Sequence, residues 1–307
     1  MREVPLGAPQ SGQSRVRTLA TGVSRGTESL IFKNLVPESE WHRMRAPNQD
    51  GEFPYPVKYG YANVGVIEDG PPEYVGCKVF GLFPHQTHYN APLSGLHILP
   101  DGLPAERAVL AANMETALNA LWDGLPSLGD HICVVGGGVV GLLTAYLAAR
   151  IPATRVTLID VNEARRGVAV KLGFEFSLPQ DAPDNQDLVF HTSACSAGLE
   201  TALKAAGNGA SVVEMSWYGA HTVSVPLGAD FHSRRLVLKS SQVGTIPASR
   251  QERWNYTRRL GVALSLLIDP ELDVLISHRI PFEEAPSRLP DIYMGRLDAL
   301  APVLIYS

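Results

Sequence analysis

The sequence predicts an α/β protein in two parts, a twisted antiparallel, barrel-like β region followed by a doubly wound parallel sheet. Three observations carry this. From Arg15 to about Val109, short alternating or branched runs ("RVRTLATGVS", "YANVGVIEDG", "CKVFGLF", "HYNAPLSGLHIL") lie between Gly and Pro punctuation. Near "PDGLPAERAVLAANMETALNALWDGL" the apolar period turns helical. From His131 onward, strand-like and helix-like stretches alternate, the pattern of βαβ units on a parallel sheet.

The elements follow in order. The helix after Pro100 puts Ala108, Ala111, Ala112, Leu118 and Leu121 on one buried face, and a domain boundary falls there. Beyond it come strand "HICVVGG", helix "VVGLLTAYLAARI", strand "RVTLIDV", helix "EARRGVAVKLGF", strand "DLVFHTS", helix "GLETALKAAG" and strand "ASVVEMSWYG". A later helix, "RWNYTRRLGVALSLLID", precedes a strand-like end. The 307 residues, 45% of them hydrophobic, suit a packed protein of two domains.

The same composition excludes several classes. A net charge of -5 without a basic block argues against nucleic acid as a partner. No run nears the roughly 18 apolar residues of a membrane span, and "MREVPLGAPQSGQS" lacks the apolar core of a secretory signal, so a cytoplasmic protein is expected. Cys77, Cys133 and Cys195 stand far apart and form neither a disulfide framework nor a zinc knuckle.

The chemistry begins at Gly136, Gly138 and Gly141, a G-x-G-x-x-G directly after strand "ICVV" and directly before a helix. Gly136 permits the tight turn, Gly138 lets backbone touch a pyrophosphate, and Gly141 lets helix and strand pack closely. Val139 and Val140 open the helix, whose free amides and positive end face the phosphates. Asp160 ends the next strand, 19 residues after Gly141 (160 − 141), near the interval of about 20 for a ribose-binding acid. A carboxylate there accepts the ribose hydroxyls and repels a 2′-phosphate, so NAD is favoured over NADP. Arg165 and Arg166 pull the other way, since an arginine can serve a 2′-phosphate, though a solvated helix face is their commoner role.

A β-rich domain joined to a dinucleotide domain resembles the medium-chain dehydrogenase/reductase superfamily, the alcohol-dehydrogenase-like enzymes. The carriers are "GVSRGTESL" (against the family's G-x-C-G-T-D-x), "YGYANVGVI" (against G-H-E-x-x-G-x-V), "VGCKVF", "LPDGL", the glycine turn and "KLGF", in that order over nearly the whole chain. The S-x-G-T-E form of the first motif is similar to a branch that includes bacteriochlorophyllide dehydrogenases. The resemblance implies a GroES-like catalytic domain over 1–112, with 272–307 returning to it, and a Rossmann domain over 113–271. Compared with typical members the chain starts late, and part of the first hairpin is expected to be missing.

The departures concern the metal. Where zinc-dependent members hold it with Cys, His and Cys or Glu, this chain has Arg25, Tyr61 and Ala112, none an ordinary zinc ligand. The structural-zinc lobe is replaced by the short "LFPHQTHYNAP". His85 and His88, three apart on an expected strand, point to opposite faces and do not make a metal site. No zinc is expected.

Without the metal, hydrogen-bond donors must meet the charge that develops on the reacting oxygen. The resemblance puts Thr27 where the family relays the substrate proton, and Arg25 and Tyr61 in the former metal shell. Arg25 can equally pair with Glu28, and Tyr61 can merely fill space. Thr116 matches a family threonine near the nicotinamide. "EMSWYG" and "SSQVG" match the segments that hold the carboxamide, with Ser216, Trp217, Ser240 and Gln242 as candidates and Trp217 and Tyr218 suggesting an aromatic-lined pocket. His191 reads as a loop or packing residue.

The preferred reading is a zinc-independent NAD(P)-dependent oxidoreductase that moves hydride between nicotinamide and a carbonyl, alcohol or enone in a cleft between the domains. The alternative is a catalytically silent dinucleotide-binding protein that kept the cradle and lost the reaction. The resemblance further implies a small-molecule substrate and a homodimer or tetramer, with "ASVVEMSW" as a sheet edge for joining copies.

Overall fold

The computed structural model describes residues 1–307, and backbone contacts divide them into two units, Met1–Ala112 with Leu260–Ser307, and Asn113–Arg259. The first unit opens on β1 (Gln13–Gly22). Ser14, Val16, Thr18 and Ala20 are buried in alternation, the period of a strand with one covered face. Helix α1 (Arg25–Phe32) follows, inside a stretch that the sequence reading treated only as a motif. Short strands come next: β2 (Asp50–Gly51), β3 (Val57–Lys58), β4 (Asn63–Asp69), β5 (Lys78–Gly81), β6 (His88–Pro92) and β7 (His97–Ile98).

The predicted helix is two pieces, α2 (Ala105–Ala108) and α3 (Ala111–Gly124). Its buried line runs through Ala108, Ala111, Met114, Ala117 and Ala120, spaced by three, with Ala112 buried beside it. Leu118 and Leu121, expected on that face, lie one position further round and are half-buried.

The second unit alternates as expected: β8 (His131–Val135), α4 (Val139–Ala148), β9 (Arg155–Ile159), α5 (Arg165–Leu172), β10 (Glu175–Ser177), β11 (Gln186–His191), α6 (Ser196–Ala205), β12 (Ala206–Glu214) and β13 (Val237–Ser240). All pairings are parallel, in the order β10-β9-β8-β11-β12-β13, the doubly wound order whose direction reverses beside β8. Ile132–Val135 and Leu188–Phe190 are buried throughout, as strands covered on both faces must be.

One expectation fails here. "ASVVEMSW" is not a sheet edge, because Ser211–Glu214 pair in register with Val237–Ser240. The edge is β13, whose four residues are exposed and too short and mixed to show a period.

A buried guanidinium holds the end of this unit. Arg259, 2% exposed, donates from Nε to Glu115 Oε1 (2.9 Å) and from its terminal nitrogens to Asn119 Oδ1 (2.5 Å) and the Val243 carbonyl (2.6 Å). Helix α7 (Tyr256–Leu266) then leads back into the first unit. There β14 (Ile276–Pro281), α8 (Ala285–Tyr293) and β15 (Ala301–Ile305) complete a mixed sheet of order β14-β15-β1-β4-β5-β7, with β6 also on β1. The return begins at Leu260 rather than at 272, so the second unit stops at Arg259 and not at 271. Arg107 explains the shift: it grips Asp273 with Nε and Nη2 (2.7 and 2.9 Å) and the Ile268 carbonyl with Nη1 (2.8 Å), tying the end of α7 to α2. No helix is long and apolar enough to cross a membrane.

Removing one partner of a buried ion pair leaves the other uncompensated. Arg259→Met is therefore expected to cost about 3–5 kcal/mol in urea unfolding, and adding Glu115→Leu should recover part of that loss.

Candidate functional site

At the end of β8 the backbone turns on Gly136 (φ +114°), whose N–H donates to the Ile159 carbonyl at 2.8 Å. A Cβ there would lie 2.7 Å from the Ser193 nitrogen, and one on Gly141 would run into the Gly136 carbonyl oxygen. Gly138 is different. It is the N-cap of α4, and nothing stands within 4 Å of where its Cβ would be. No side chain caps α4, so the first-turn amides around Val139 and Val140 meet no capping oxygen.

The Gly137 N–H donates to Asp160 Oδ2 (2.5 Å), and Asp160 Oδ1 accepts from the Asn162 N–H (2.7 Å), which aims the carboxylate along the turn. Arg165, 8% exposed, is not a solvated residue: its Cγ lies 3.0 Å from the Cβ position of Gly137. Arg166 does face water, paired with Glu163 and lying over the Phe176 ring at 4.6 Å. The first residue of α5 faces the turn that precedes it, and the second faces out.

At the neighbouring strand ends, the Ser216 Oγ accepts from the Ala194 N–H (3.1 Å) and the Ser241 N–H donates to the Glu214 carbonyl (2.9 Å), joining the loops after β11, β12 and β13. Ser240 is exposed at the end of β13, and Trp217 is half-buried. Gln242 turns back on its own loop, its Oε1 accepting from the Gly244 N–H at 2.6 Å. Thr116 is half-buried on α3. His191 is wholly buried at the end of β11, bonded to Glu214 and Ser193.

In the first unit the structure brings together Tyr61 and Thr27 and adds Ser24, which the sequence reading missed. The Tyr61 hydroxyl donates to Ser24 Oγ (2.5 Å), with Thr27 Oγ1 at 3.2 Å. Arg25 is aimed elsewhere, 4.0 Å from Asp298 and more than a third exposed.

Its expected partner, Glu28, is claimed by other groups. Glu28 accepts from the Ser24 N–H (2.7 Å) and the Tyr293 hydroxyl (2.5 Å), and stands 3.2 Å from His85 Nε2. His85 Nδ1 in turn lies 2.7 Å from Thr21 Oγ1, itself 3.1 Å from the Tyr306 hydroxyl. His88 is separate, exposed and 3.6 Å from Glu68. The two histidines part because His85 sits in the bend before β6, not through alternation along a strand.

Burial works to raise the Glu28 pKa, but the His85 imidazole, the Tyr293 hydroxyl and the Ser24 N–H outweigh it and hold the carboxyl below its ordinary value. Tyr61 is raised, chiefly by burial and further by the Glu28 charge, against the bonds to Ser24 and Thr27. It remains a hydrogen donor at neutral pH. Arg25, Tyr61 and the buried Ala112 do not make a donor set for zinc, and no group of three or more His, Cys, Asp or Glu side chains is arranged to hold a metal.

The glycine turn, the uncapped start of α4 and the acid beside them have the geometry that the phosphates and ribose of a dinucleotide would need. No family model matches the chain. It is similar to sorbitol dehydrogenase from Mus musculus (26% identity over 194 residues, 61% of this chain and 53% of that one). It is also similar to D-guloside 3-dehydrogenase from Escherichia coli K12 (23% over 320 residues, 94% and 90%). The chain spans about half the length of the mammalian sorbitol dehydrogenases it matches.

Among solved structures, the alcohol dehydrogenase from Thermus sp. ATN1 shares the fold with a TM-score of 0.75 at 21% identity, over 100% of this chain and 96% of that one. Acetophenone reductase from Geotrichum candidum in complex with NAD does so at 0.75 and 17%, over 99% and 92%. Other neighbours were solved with NADH or with NADP.

Two stability measurements follow. Gly141→Ala is expected to destabilise by several kcal/mol, since backbone blocks its Cβ, whereas Gly138→Ala should stay within about 0.5 kcal/mol in thermal or urea unfolding. A depressed carboxyl contributes stability that is present above its unfolded value and lost as pH falls through the folded one. The stability gap between wild type and Glu28→Gln should therefore shrink as pH drops below 4.5.

Proposed function

We propose that the chain is an NAD(H)-linked oxidoreductase that interconverts an alcohol and a carbonyl, with a tyrosine-centred hydroxyl cluster doing the work that zinc does in its relatives. The observation that carries this reading is Gly138, open to space at the uncapped start of α4 with Asp160 beside the turn. A diphosphate fits there: amides of the first helical turn and the positive helix end hold it, and Asp160 accepts the ribose hydroxyls. That carboxylate disfavours a 2′-phosphate and supports NAD over NADP, although Arg165 lies close by.

Bound nicotinamide supplies or accepts the hydride. The protein's residues do the rest. Tyr61, kept protonated by burial, donates to the oxygen that becomes alkoxide-like, and Ser24 and Thr27 hold or pass that proton. Thr116, Ser216, Trp217 and Ser240 flank the nicotinamide end, and Gln242 contributes through backbone, its side chain being used in its own turn. Arg25 drops out of the catalytic set because it faces Asp298.

Relatives named for sorbitol, D-guloside and L-threonine favour alcohol and carbonyl chemistry over enone reduction. Copies of the chain would associate as a dimer or tetramer along the exposed β13 edge.

The test is a panel of polyols, secondary alcohols and ketones, followed by absorbance of the reduced nicotinamide on chelator-treated protein. Tyr61→Phe should lower kcat by about 10²–10³-fold with NADH affinity unchanged. Gly138→Ala should weaken NADH binding in a protein that still folds. Activity lost on chelation and restored by zinc overturns the metal-free mechanism, and binding of neither pyridine nucleotide overturns the whole proposal.

A further inference from the structure

Four tyrosine hydroxyls stand in the field of the Glu28 carboxylate, those of Tyr59, Tyr61, Tyr293 and Tyr306. Three are committed. Tyr293 donates to Glu28 itself (2.5 Å), Tyr306 lies 3.1 Å from Thr21 Oγ1, and Tyr61 donates to Ser24 Oγ (2.5 Å). A largely enclosed tyrosine ordinarily finds such a partner. The Tyr59 hydroxyl makes no bond to the protein: burial, Tyr61 and Glu28 push its pKa far up, and nothing pulls it back.

The rest of Tyr59 is held firmly. Its carbonyl accepts the His85 N–H (3.1 Å), the Phe53 ring lies 6.2 Å away, and the Tyr61 ring meets it edge-on at 6.0 Å. Gly60, between the two tyrosines, has φ +118°, and a Cβ there would stand 3.0 Å from His85 Cδ2. The imidazole that fixes this backbone is itself bonded to Thr21 and Glu28. A ring placed this closely, with its hydroxyl left over, is a preorganised donor and acceptor.

Access separates Tyr59 from the other tyrosine without a partner. Tyr89 Oη and Ser14 Oγ are the two side-chain oxygens both sealed from solvent and unbonded, and Tyr89 is shut in the apolar cluster of Val16, Ile67, Val79 and Phe83. Tyr59 is half-buried, and its hydroxyl is not sealed. A small molecule arriving from solvent can therefore meet it beside Tyr61.

We propose that Tyr59 is a specificity-determining residue whose hydroxyl bonds the oxygen on the carbon next to the reacting one, so that the substrate class is a vicinal diol and its α-hydroxycarbonyl partner. The inference rests on the Tyr61 chemistry of the proposed function. In the oxidising direction the carbinol C–H leaves as hydride for the nicotinamide, the O–H proton passes to the Tyr61 cluster, and a C=O forms; the neighbouring hydroxyl keeps its atoms throughout. Reduction is the reverse.

The two phenols suit these two oxygens differently. Burial and Glu28 raise the Tyr61 pKa while the bonds to Ser24 and Thr27 pull it down, which fits the oxygen whose charge changes. Tyr59 has no such offset and stays a neutral hydroxyl that can donate and accept at once, as an alcohol that never ionises requires. With ring centres 6.0 Å apart, one short ligand spans both phenols, and this selects an oxygen on the adjacent carbon over one further along a chain.

The experiment compares pairs that differ by that one hydroxyl, butane-2,3-diol with butan-2-ol and 3-hydroxybutan-2-one with butan-2-one, by the absorbance of the reduced nicotinamide. Wild type should favour the hydroxylated member of each pair about fivefold or more in kcat/KM, the worth of one hydrogen bond between neutral groups. Tyr59→Phe should bring that ratio to about one, chiefly by raising KM for the hydroxylated member, whereas Tyr61→Phe lowers kcat for both members alike. A hydroxyl without a partner holds nothing in place, so Tyr59→Phe should melt at or above the wild-type temperature. A wild type without the preference, a preference that survives in Tyr59→Phe, or a melting temperature several degrees lower in that variant each overturns the inference and leaves the Tyr61 mechanism intact. Turnover of no member of either pair overturns the alcohol–carbonyl reading, and the inference falls with it.

Discussion

The contact of Gly141 with the Gly136 carbonyl leaves no room for a Cβ on Gly141, just as the Thr192–Ser193 segment leaves none on Gly136. This contact lets α4 start directly at the end of β8 with its first-turn amides unshielded, and it seats the Thr192–Ser193 loop on the turn from the other side. Asp160 is drawn in by the Gly137 amide, and Arg165 packs where that amide leaves room. Three segments far apart in the chain are thereby brought to one surface by a steric condition that only glycine meets. What gathers there is a row of uncapped helix amides with a carboxylate beside it, the arrangement that the proposed dinucleotide would need.

That condition explains what could be read in advance. A close approach demands a residue type at a spacing, and Gly136, Gly138, Gly141 and Asp160 were all visible as letters in order. Strands buried on both faces are likewise visible, because "ICVV" and "LVF" have little choice but to be apolar. β13 was invisible for the opposite reason: an exposed edge of four residues carries no period, so β12 passed for the edge. The leucines of α3 misled because small residues at every third position, not the largest ones, set its buried line.

The polar clusters were legible as residues and illegible as partners. Tyr61 and Thr27 were named, yet Ser24, three residues before Thr27, had no signal beyond being the N-cap of α1. Glu28 was assigned to its near neighbour Arg25, whereas its partners come from positions 85 and 293. His191 looked like a loop residue because its acid lies 23 positions away on the next strand. Sequence proximity favours the local pair, but a buried carboxylate goes to whichever donors share its desolvation, and those are chosen by topology.

Each unit thus buries one imidazole–carboxylate pair and gives the carboxylate a tyrosine hydroxyl as an additional donor, Tyr293 for Glu28 and Tyr218 for Glu214. On the reading proposed above, a site that relies on hydroxyls must control charge by which donors are already committed. Tyr61 illustrates this. Its own burial and the anionic Glu28 nearby both oppose ionisation, so the phenol keeps its proton. The carboxylate is tolerable there only because His85, Tyr293 and the Ser24 amide saturate it. A donor strong enough to polarise an oxygen, yet unwilling to ionise, is obtained from ordinary residues by placing a satisfied negative charge beside it.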